Sequence, residues 1–195
     1  MKMKRSLLLL VIFITTSVSI YSQDTWFIKF GLNSSSYWDK NPTGSKEKNG
    51  YMFGIGIESQ IKHSDFSVAP AFEIISKGSS GTEDSYYGAA INAVYLEVPL
   101  DFIYHLRLVK NNYLTFAAGP YMAYGIGGDT SYQNQSIGTF DECTGIDIID
   151  LGLNFGMGYE YKRLLLNGSC DLGLKKIASN SPKNISFIIS MGFKI

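Results

Sequence analysis

Large apolar side chains occupy every second position along most of the chain after residue 24. The clearest case is the last stretch, whose alternate residues are Ile185, Phe187, Ile189, Met191, Phe193 and Ile195. A period of two is typical of a β-strand with one apolar face. Eight such segments are present, with apolar positions spanning Trp26–Leu32, Tyr51–Ile61, Phe66–Ile74, Val94–Tyr104, Leu114–Ile126, Leu151–Tyr161, Leu164–Leu174 and Ile185–Ile195. The pattern predicts an all-β protein.

The connections between these segments alternate in length. Long connections cover roughly 33–50, 76–92, 127–149 and 175–184, and short ones lie around Lys62–Asp65, His105–Asn112 and Lys162–Arg163. This is the layout of an antiparallel meander with tight turns at one rim and long loops at the other. Transmembrane β-barrels have this layout, with short periplasmic turns and long extracellular loops.

The two strand faces differ in chemistry, and this difference decides which face is wet. The apolar face carries no charged residue. The opposite face is rich in glycine and carries Lys29, Glu58, Glu73, Glu97, Asp101, Asp150, Glu160, Asp171 and Lys194. A soluble eight-stranded barrel of the lipocalin type would have to pack the bulky face into its lumen. An eight-stranded lumen is only just wide enough for side chains, so the small and charged face suits it better.

The sequence therefore predicts an eight-stranded antiparallel up-and-down transmembrane β-barrel with its apolar face in hydrocarbon. Closure pairs every backbone group of the wall, as the water-free bilayer requires. We expect the last strand to pair with the first. Pro70, Pro99 and Pro120 each remove a ladder donor, so we expect β-bulges near them.

The first 22 residues have the parts of a secretory signal peptide. Three basic residues precede an apolar run from Leu7 to about Ile20, and small residues follow. We expect cleavage after Ser22, which leaves residues 23–195 as a single barrel domain. A retained N-terminal membrane anchor is the alternative.

Composition excludes some function classes. Removal of the signal peptide leaves 14 of the 17 basic residues against 17 acidic ones, a net charge of −3. Nucleic-acid-binding proteins carry a basic footprint instead. Two cysteines, Cys143 and Cys170, are too few for a disulfide scaffold. We expect both thiols to be free, because strand pairing places Cys170 beside about Phe155, far from Cys143.

Four short stretches carry a resemblance to a known family. They are Y-L-E-V-P-L (95–100), G-P-Y (119–121), D-L-G-L-N-F-G-M-G-Y-E-Y (150–161) and the terminal G-F-K-I. Together they resemble the PorT-like outer-membrane β-barrel family of Bacteroidota, over essentially the whole mature chain. The resemblance implies an eight-stranded outer-membrane barrel. It implies no reaction, and the founding member of the family serves a protein-secretion system.

The sequence offers few candidates for catalysis. The G-I-G, G-I-G-G and G-M-G stretches do not open a helix, as a phosphate loop would require. His63 lies near Ser64 and Asp65, and His105 lies near Arg107. We expect both histidines to be turn residues. A lipid-modifying enzyme would instead need a histidine with a serine and a carboxylate in reach.

The interior charges have two interpretations. They form either an ion-pair network that fills the lumen or the lining of a pore; eight strands favour the filled lumen. Lys62, Lys77 and Lys162 are expected near the strand ends. The third long loop carries Asp129, Asp141, Glu142 and Asp147, which could hold a divalent cation through oxygen ligands or stay solvated. We expect the solvated loop, and no catalytic, cofactor or metal residues.

The leading hypothesis is a non-enzymatic barrel in the bacterial outer membrane that engages a partner through its exposed loops or rim. A secretion machine is one such partner. The other expected partners are the outer-membrane lipids and the barrel-assembly machinery, because the alternating C-terminal strand looks like an assembly signal. The alternatives are a lipid-modifying enzyme and a small diffusion channel.

Overall fold

The computed structural model describes residues 24–38, 46–80, 90–132, 135–177 and 183–195. The predicted signal peptide lies outside these residues. A single 3-10 turn, Glu142–Thr144, is described, and no helix in the described part is long and apolar enough to cross a bilayer. The strands are β1 Asp24–Trp38, β2 Lys48–Gln60, β3 Phe66–Ser79, β4 Ala90–Val109, β5 Asn112–Tyr132, β6 Gln135–Gly138, β7 Ile149–Tyr161, β8 Leu164–Lys176 and β9 Lys183–Lys194.

Eight of these strands form a closed antiparallel barrel. The order is β4-β3-β2-β1-β9-β8-β7-β5, and pairing of β4 with β5 closes the wall. The short β6 pairs with the upper part of β5 and adds no strand to the closed wall. The last strand pairs with the first, and the N–H of Ile195 donates to the carbonyl oxygen of Trp26 at 2.8 Å. The predicted fold and its closure are confirmed.

The side chains alternate between the outside and the lumen as the sequence predicts. On β9, Ile189 is 71% exposed, whereas its neighbour Ser190 is 3% exposed. The same contrast holds on β3, where Phe72 faces outward and Ala71 is buried. The large apolar side chains therefore form an outer band, which is the face that hydrocarbon would cover.

The strands are longer than the apolar segments that predicted them. At the long-loop end, β1 continues to Trp38 and β5 to Tyr132. At the short-turn end, β4 continues to Val109, so the predicted turn at His105–Asn112 is wrong. The alternation persists there, because Leu106 is exposed on the outer face and the His105 side chain enters the lumen. In the sequence alone, a run of polar residues whose side chains face a lumen looks the same as a turn.

The other two short turns lie as predicted, and all three turns are tight. Each contains one non-glycine residue with a positive φ: His63 (59°), Asn111 (64°) and Lys162 (56°). A left-handed residue is what lets two antiparallel strands reverse over so few residues. We call this rim the short-turn end and the opposite rim the long-loop end.

The three strand prolines do not produce the expected bulges. Strand β3 keeps one register with β4 on both sides of Pro70, and β4 keeps one register with β5 across Pro99 and Pro120. Each proline removes one backbone N–H donor without adding a residue. The strand pair therefore lacks one hydrogen bond at that point and keeps the same register on both sides. Strands β4 and β5 approach each other closely at Gly119, where a side chain would collide with the carbonyl oxygen of Leu100. The register shifts lie elsewhere, at Val94/Tyr95, Arg107/Val109 and Leu172/Lys176.

Candidate functional site

The lumen is the candidate site, and its long-loop half is filled by apolar packing. Tyr95 and Tyr121 are 2% and 3% exposed. They belong to a buried cluster that also contains Met52, Ile75, Ala93, Ala123 and Ile188. The strand pattern predicted small and charged side chains in the lumen, and these large ones were not predicted. The signal was present, since Tyr95 and Tyr121 fall on inward positions of their strands.

A loop residue completes this packing. Phe140, which follows β6, packs its ring edge-on against Tyr95 with a centroid separation of 5.4 Å. Gly125 provides the space, because a side chain there would overlap the Phe140 ring. The preceding Thr139 is fully buried, and its hydroxyl donates to the carbonyl oxygen of Asn92 at 2.7 Å. The third long loop therefore folds inward and covers the end of the lumen.

A fully buried lysine lies at the centre of this half. The Lys77 Nζ is 2.5 Å from a Glu97 oxygen and 2.9 Å from an Asp171 oxygen. The same Nζ lies 4.3 Å from the centroid of the Tyr121 ring. Asp171 also accepts a hydrogen bond from Asn154 at 2.6 Å. Lys77 lies two residues before the end of β3 at Ser79, near a strand end as expected. It pairs there with two buried carboxylates, which the sequence did not predict.

The middle of the lumen holds a second ion pair and a small cavity. Lys29 Nζ pairs with Glu73 at 2.6 Å. Asp101 Oδ1 is buried and has no hydrogen-bond partner among the described residues. It borders a cavity of about 70 Å³, which Ser190 also lines. A polar cavity of that size holds a small number of waters, which would satisfy the Asp101 oxygen.

The short-turn half contains a four-residue charged cluster. Lys194 Nζ lies 2.7 Å from Glu160 and 3.0 Å from Glu58. His105 Nε2 lies 2.9 Å from Glu58, and its Nδ1 lies 3.7 Å from Glu160. Two carboxylates are thus bridged by one lysine and one imidazole. The ion pairs inside the lumen thus occur in two networks, around Lys77 and Lys194, and in the Lys29–Glu73 pair.

A serine also contacts this histidine, so the cluster contains the residue types of a hydrolytic triad. The Ser67 oxygen lies 2.9 Å from His105 Nε2, but its hydroxyl donates to Glu58 at 3.0 Å. The same Nε2 faces that carboxylate. In a working triad the base takes the serine proton at one nitrogen and is oriented by a carboxylate at the other. Ser67 is also fully buried in the lumen. The arrangement is that of an ion network, with the serine as a further hydrogen-bond donor.

A pocket of about 540 Å³ opens at the short-turn end. Its floor is the charged cluster just described. Its walls include Thr25, Gln60, Asp65, Arg107, Tyr113, Lys162 and Arg163. The lumen is therefore packed towards one end and accessible from the other.

The remaining sequence candidates lie apart from this pocket. His63 is exposed in its turn, as predicted. In the third long loop, Asp141 accepts a backbone N–H of its own turn, and Asp147 pairs with Lys175 at 3.1 Å. Asp129 accepts a hydrogen bond from β4, and the Glu142 side chain lies outside the described residues. No group of three or more His, Cys, Asp or Glu side chains suited to a metal occurs in the described part.

Both cysteines are free thiols, as predicted. Cys143 is exposed within the 3-10 turn. Cys170 pairs in register with Phe155 on β7, which is the neighbour expected from the sequence. It lies on the outer face of β8, because the adjacent Asp171 faces the lumen.

Comparison with protein families finds one that covers most of the chain. The family described as outer membrane protein beta-barrel domain matches residues 21–179. No curated protein matches the sequence significantly.

Solved structures with the same architecture include two bacterial proteins. Neisserial surface protein A is 10% identical and aligns with a TM-score of 0.55, over 87% of this chain and 96% of that one. The attachment invasion locus protein Ail of Yersinia pestis, in complex with the heparin analogue sucrose octasulfate, is 15% identical. It aligns with a TM-score of 0.50, over 88% of this chain and 99% of that one. At these identities the likeness shows the fold alone.

Proposed function

The chain belongs to the outer membrane protein β-barrel domain family, and on that premise we propose that it acts as a non-enzymatic barrel that engages a partner through its loops or rim. Its location is the bacterial outer membrane. In such barrels the short turns face the periplasm and the long loops face outward. The short-turn pocket therefore opens to the periplasm.

The observation that carries this proposal is the packed long-loop half of the lumen. Tyr95, Tyr121 and Lys77 are each at most 3% exposed, and Phe140 closes over them. A solute that entered the periplasmic pocket would meet this packing before it reached the outside. A lumen that the described residues block in this way leaves the loops and the two rims as the surfaces with which such a barrel acts.

The enzymatic alternative has less support. A lipid-modifying enzyme of this size would present its catalytic cluster to the lipid at a rim. The Ser67–His105–Glu58 contacts lie inside the lumen, and the serine hydroxyl is already bonded to the carboxylate. The PorT-like resemblance in turn supports a protein-secretion component as the first partner class to test.

Two experiments test the proposal. Crosslinking in intact cells, followed by identification of co-purified proteins, should recover a specific envelope protein; recovery of lipid alone would contradict partner binding.

In planar bilayers the wild-type barrel should conduct little. The double variant Tyr95→Ala, Tyr121→Ala, checked for folding by its gel-mobility shift, should conduct more, and Cys143→Ser serves as the neutral control. A large, steady wild-type conductance would favour the channel instead.

A further inference from the structure

The periplasmic pocket carries a basic arc that the ion network leaves unpaired. Arg107, Lys162 and Arg163 line the pocket, and all three are exposed. None of them forms an ion pair with a carboxylate among the described residues. Lys194 on the floor differs, because it is held by two carboxylates. The arc therefore has positive charge to offer a ligand.

The topology places Lys162 and Arg163 two strands from Arg107, with β5 between β4 and β7. Arg107 near the end of β4 pairs in register with Tyr113 near the start of β5, and β5 pairs with β7. The turn that joins β7 to β8 supplies Lys162 and Arg163. The acidic Asp65 belongs to the β2–β3 turn, which lies across the barrel from the β7–β8 turn in the strand order. Lys162 and Arg163 are thus separated from Asp65, whereas Arg107 lies two residues from His105, whose backbone N–H donates to the Asp65 carbonyl oxygen at 2.8 Å.

Arg107 is held in position by its neighbour. One guanidinium N–H donates to the Tyr113 hydroxyl at 3.3 Å, and the guanidinium carbon lies 5.7 Å from the centroid of that ring. Stacking of this kind orients the guanidinium while its other N–H donors remain available. Such a fork matches the two oxygens of a phosphate or a carboxylate.

We propose that this pocket binds a small ligand with at least two anionic oxygen groups, phosphate or carboxylate, through Arg107, Lys162 and Arg163. Its volume of about 540 Å³ lies within the range of small-molecule sites, about 300–1,000 Å³. The carboxylates of Glu58 and Glu160 on the floor each form an ion pair with Lys194, which weakens their repulsion of an anion at the arc. The inference is independent of the proposed function, because a pocket closed at one end binds whether or not the loops engage a partner.

The test uses pyrophosphate as the probe and the folded barrel in zwitterionic detergent, titrated by calorimetry. Wild type should bind one equivalent, and binding should weaken as salt is raised, because exposed charges are screened. Arg107→Gln and Arg163→Gln should each weaken binding by about tenfold, since each removes charge-assisted hydrogen bonds. Lys110→Gln is the matched control, because it removes the same charge at the neighbouring β4–β5 turn outside the pocket. Its affinity should stay within about twofold of wild type.

Three outcomes would overturn the site. They are no heat of binding with millimolar pyrophosphate, an equal loss of affinity in Lys110→Gln, and no loss of affinity in either arginine variant.

Two sources of the anion, a lipid headgroup and a soluble molecule, are distinguished by repeating the titration in nanodiscs with and without anionic phospholipid. Loss of pyrophosphate binding only in the anionic discs assigns the site to lipid headgroups. Unchanged binding assigns it to a soluble periplasmic anion, and both results support the site.

Discussion

The two halves of the lumen are lined by the same eight strands, yet one is packed and the other is open. In the long-loop half, Lys77 and its two carboxylates are enclosed by tyrosine rings and by a loop phenylalanine. In the short-turn half, Lys194 bridges two carboxylates at the floor of a pocket of about 540 Å³. The ionic chemistry is nearly the same, with one lysine between two acids. The access of water is what differs.

This difference teaches that strand alternation sets which side chains enter a lumen but not how full it becomes. Filling depends on where large inward residues coincide in height on neighbouring strands. Tyr95 and Tyr121 coincide near one end, and a loop folds in to meet them. Towards the other end a smaller apolar cluster around Phe27 lies among small and long polar side chains, and a pocket of about 540 Å³ stays open beyond it.

The largest expected effect comes from removing the enclosed lysine. Lys77→Met should lower the free energy of unfolding by about 3–5 kcal/mol, because Glu97 and Asp171 would remain buried without a cation. Lys194→Met, the matched change in the open half, should cost less. Its two carboxylates keep His105 as a neighbour and can be reached by water. Urea titration in lipid vesicles, scored by the gel-mobility shift of folded barrels, measures both.

Equal losses of unfolding free energy in the two variants would contradict the proposed difference in water access between the halves. A larger loss for Lys194→Met would reverse it, and the short-turn half would then be the less hydrated one.

A second prediction compares two serines on the same face of β9. Ser186 is fully buried in the long-loop half, whereas Ser190 lines the cavity of about 70 Å³. Ser186→Leu should destabilise the barrel by about 1–3 kcal/mol, because packed interiors do not accept added volume. Ser190→Leu should cost under about 1 kcal/mol, since the cavity can take the side chain. The same urea titration applies, and a greater loss for Ser190→Leu would mean that the cavity is not available space.

Much of the fold could be predicted from the sequence because a barrel wall repeats one local rule. Each strand must alternate, and the register follows from that alternation and the short turns. The sequence also predicted which side chains face outward, since the apolar Ile189 is exposed and the polar Ser190 is buried. The strand ends were harder to predict, because the strands continue beyond their alternating apolar residues at both rims.

The site was harder to predict than the wall. His105 was assigned to a turn because its polar neighbours resembled one, and Lys77 was placed near a strand end without any partner. The contacts of both residues were missed for the same reason: an inward polar residue is stabilised by partners on distant strands, and a sequence shows only its local neighbours. The inward turn of Phe140 depends equally on Tyr95, a residue of another strand. Such contacts are set by closure of the barrel.

The smallest expected effect separates the two histidines. His105→Ala should cost about 1 kcal/mol, because Glu58 loses one hydrogen-bond partner but keeps Lys194 and Ser67. His63 is exposed in the β2–β3 turn with a φ of 59°. His63→Gly should stay within about 0.5 kcal/mol of wild type, since the relief of left-handed strain roughly offsets the extra freedom of the unfolded chain. Neither change should alter the proteins recovered by crosslinking. If His105→Ala preserved the gel-shifted fold and abolished a measured lipid-modifying activity, the enzymatic alternative would replace the partner-binding proposal, and the open half of the lumen would be its active site.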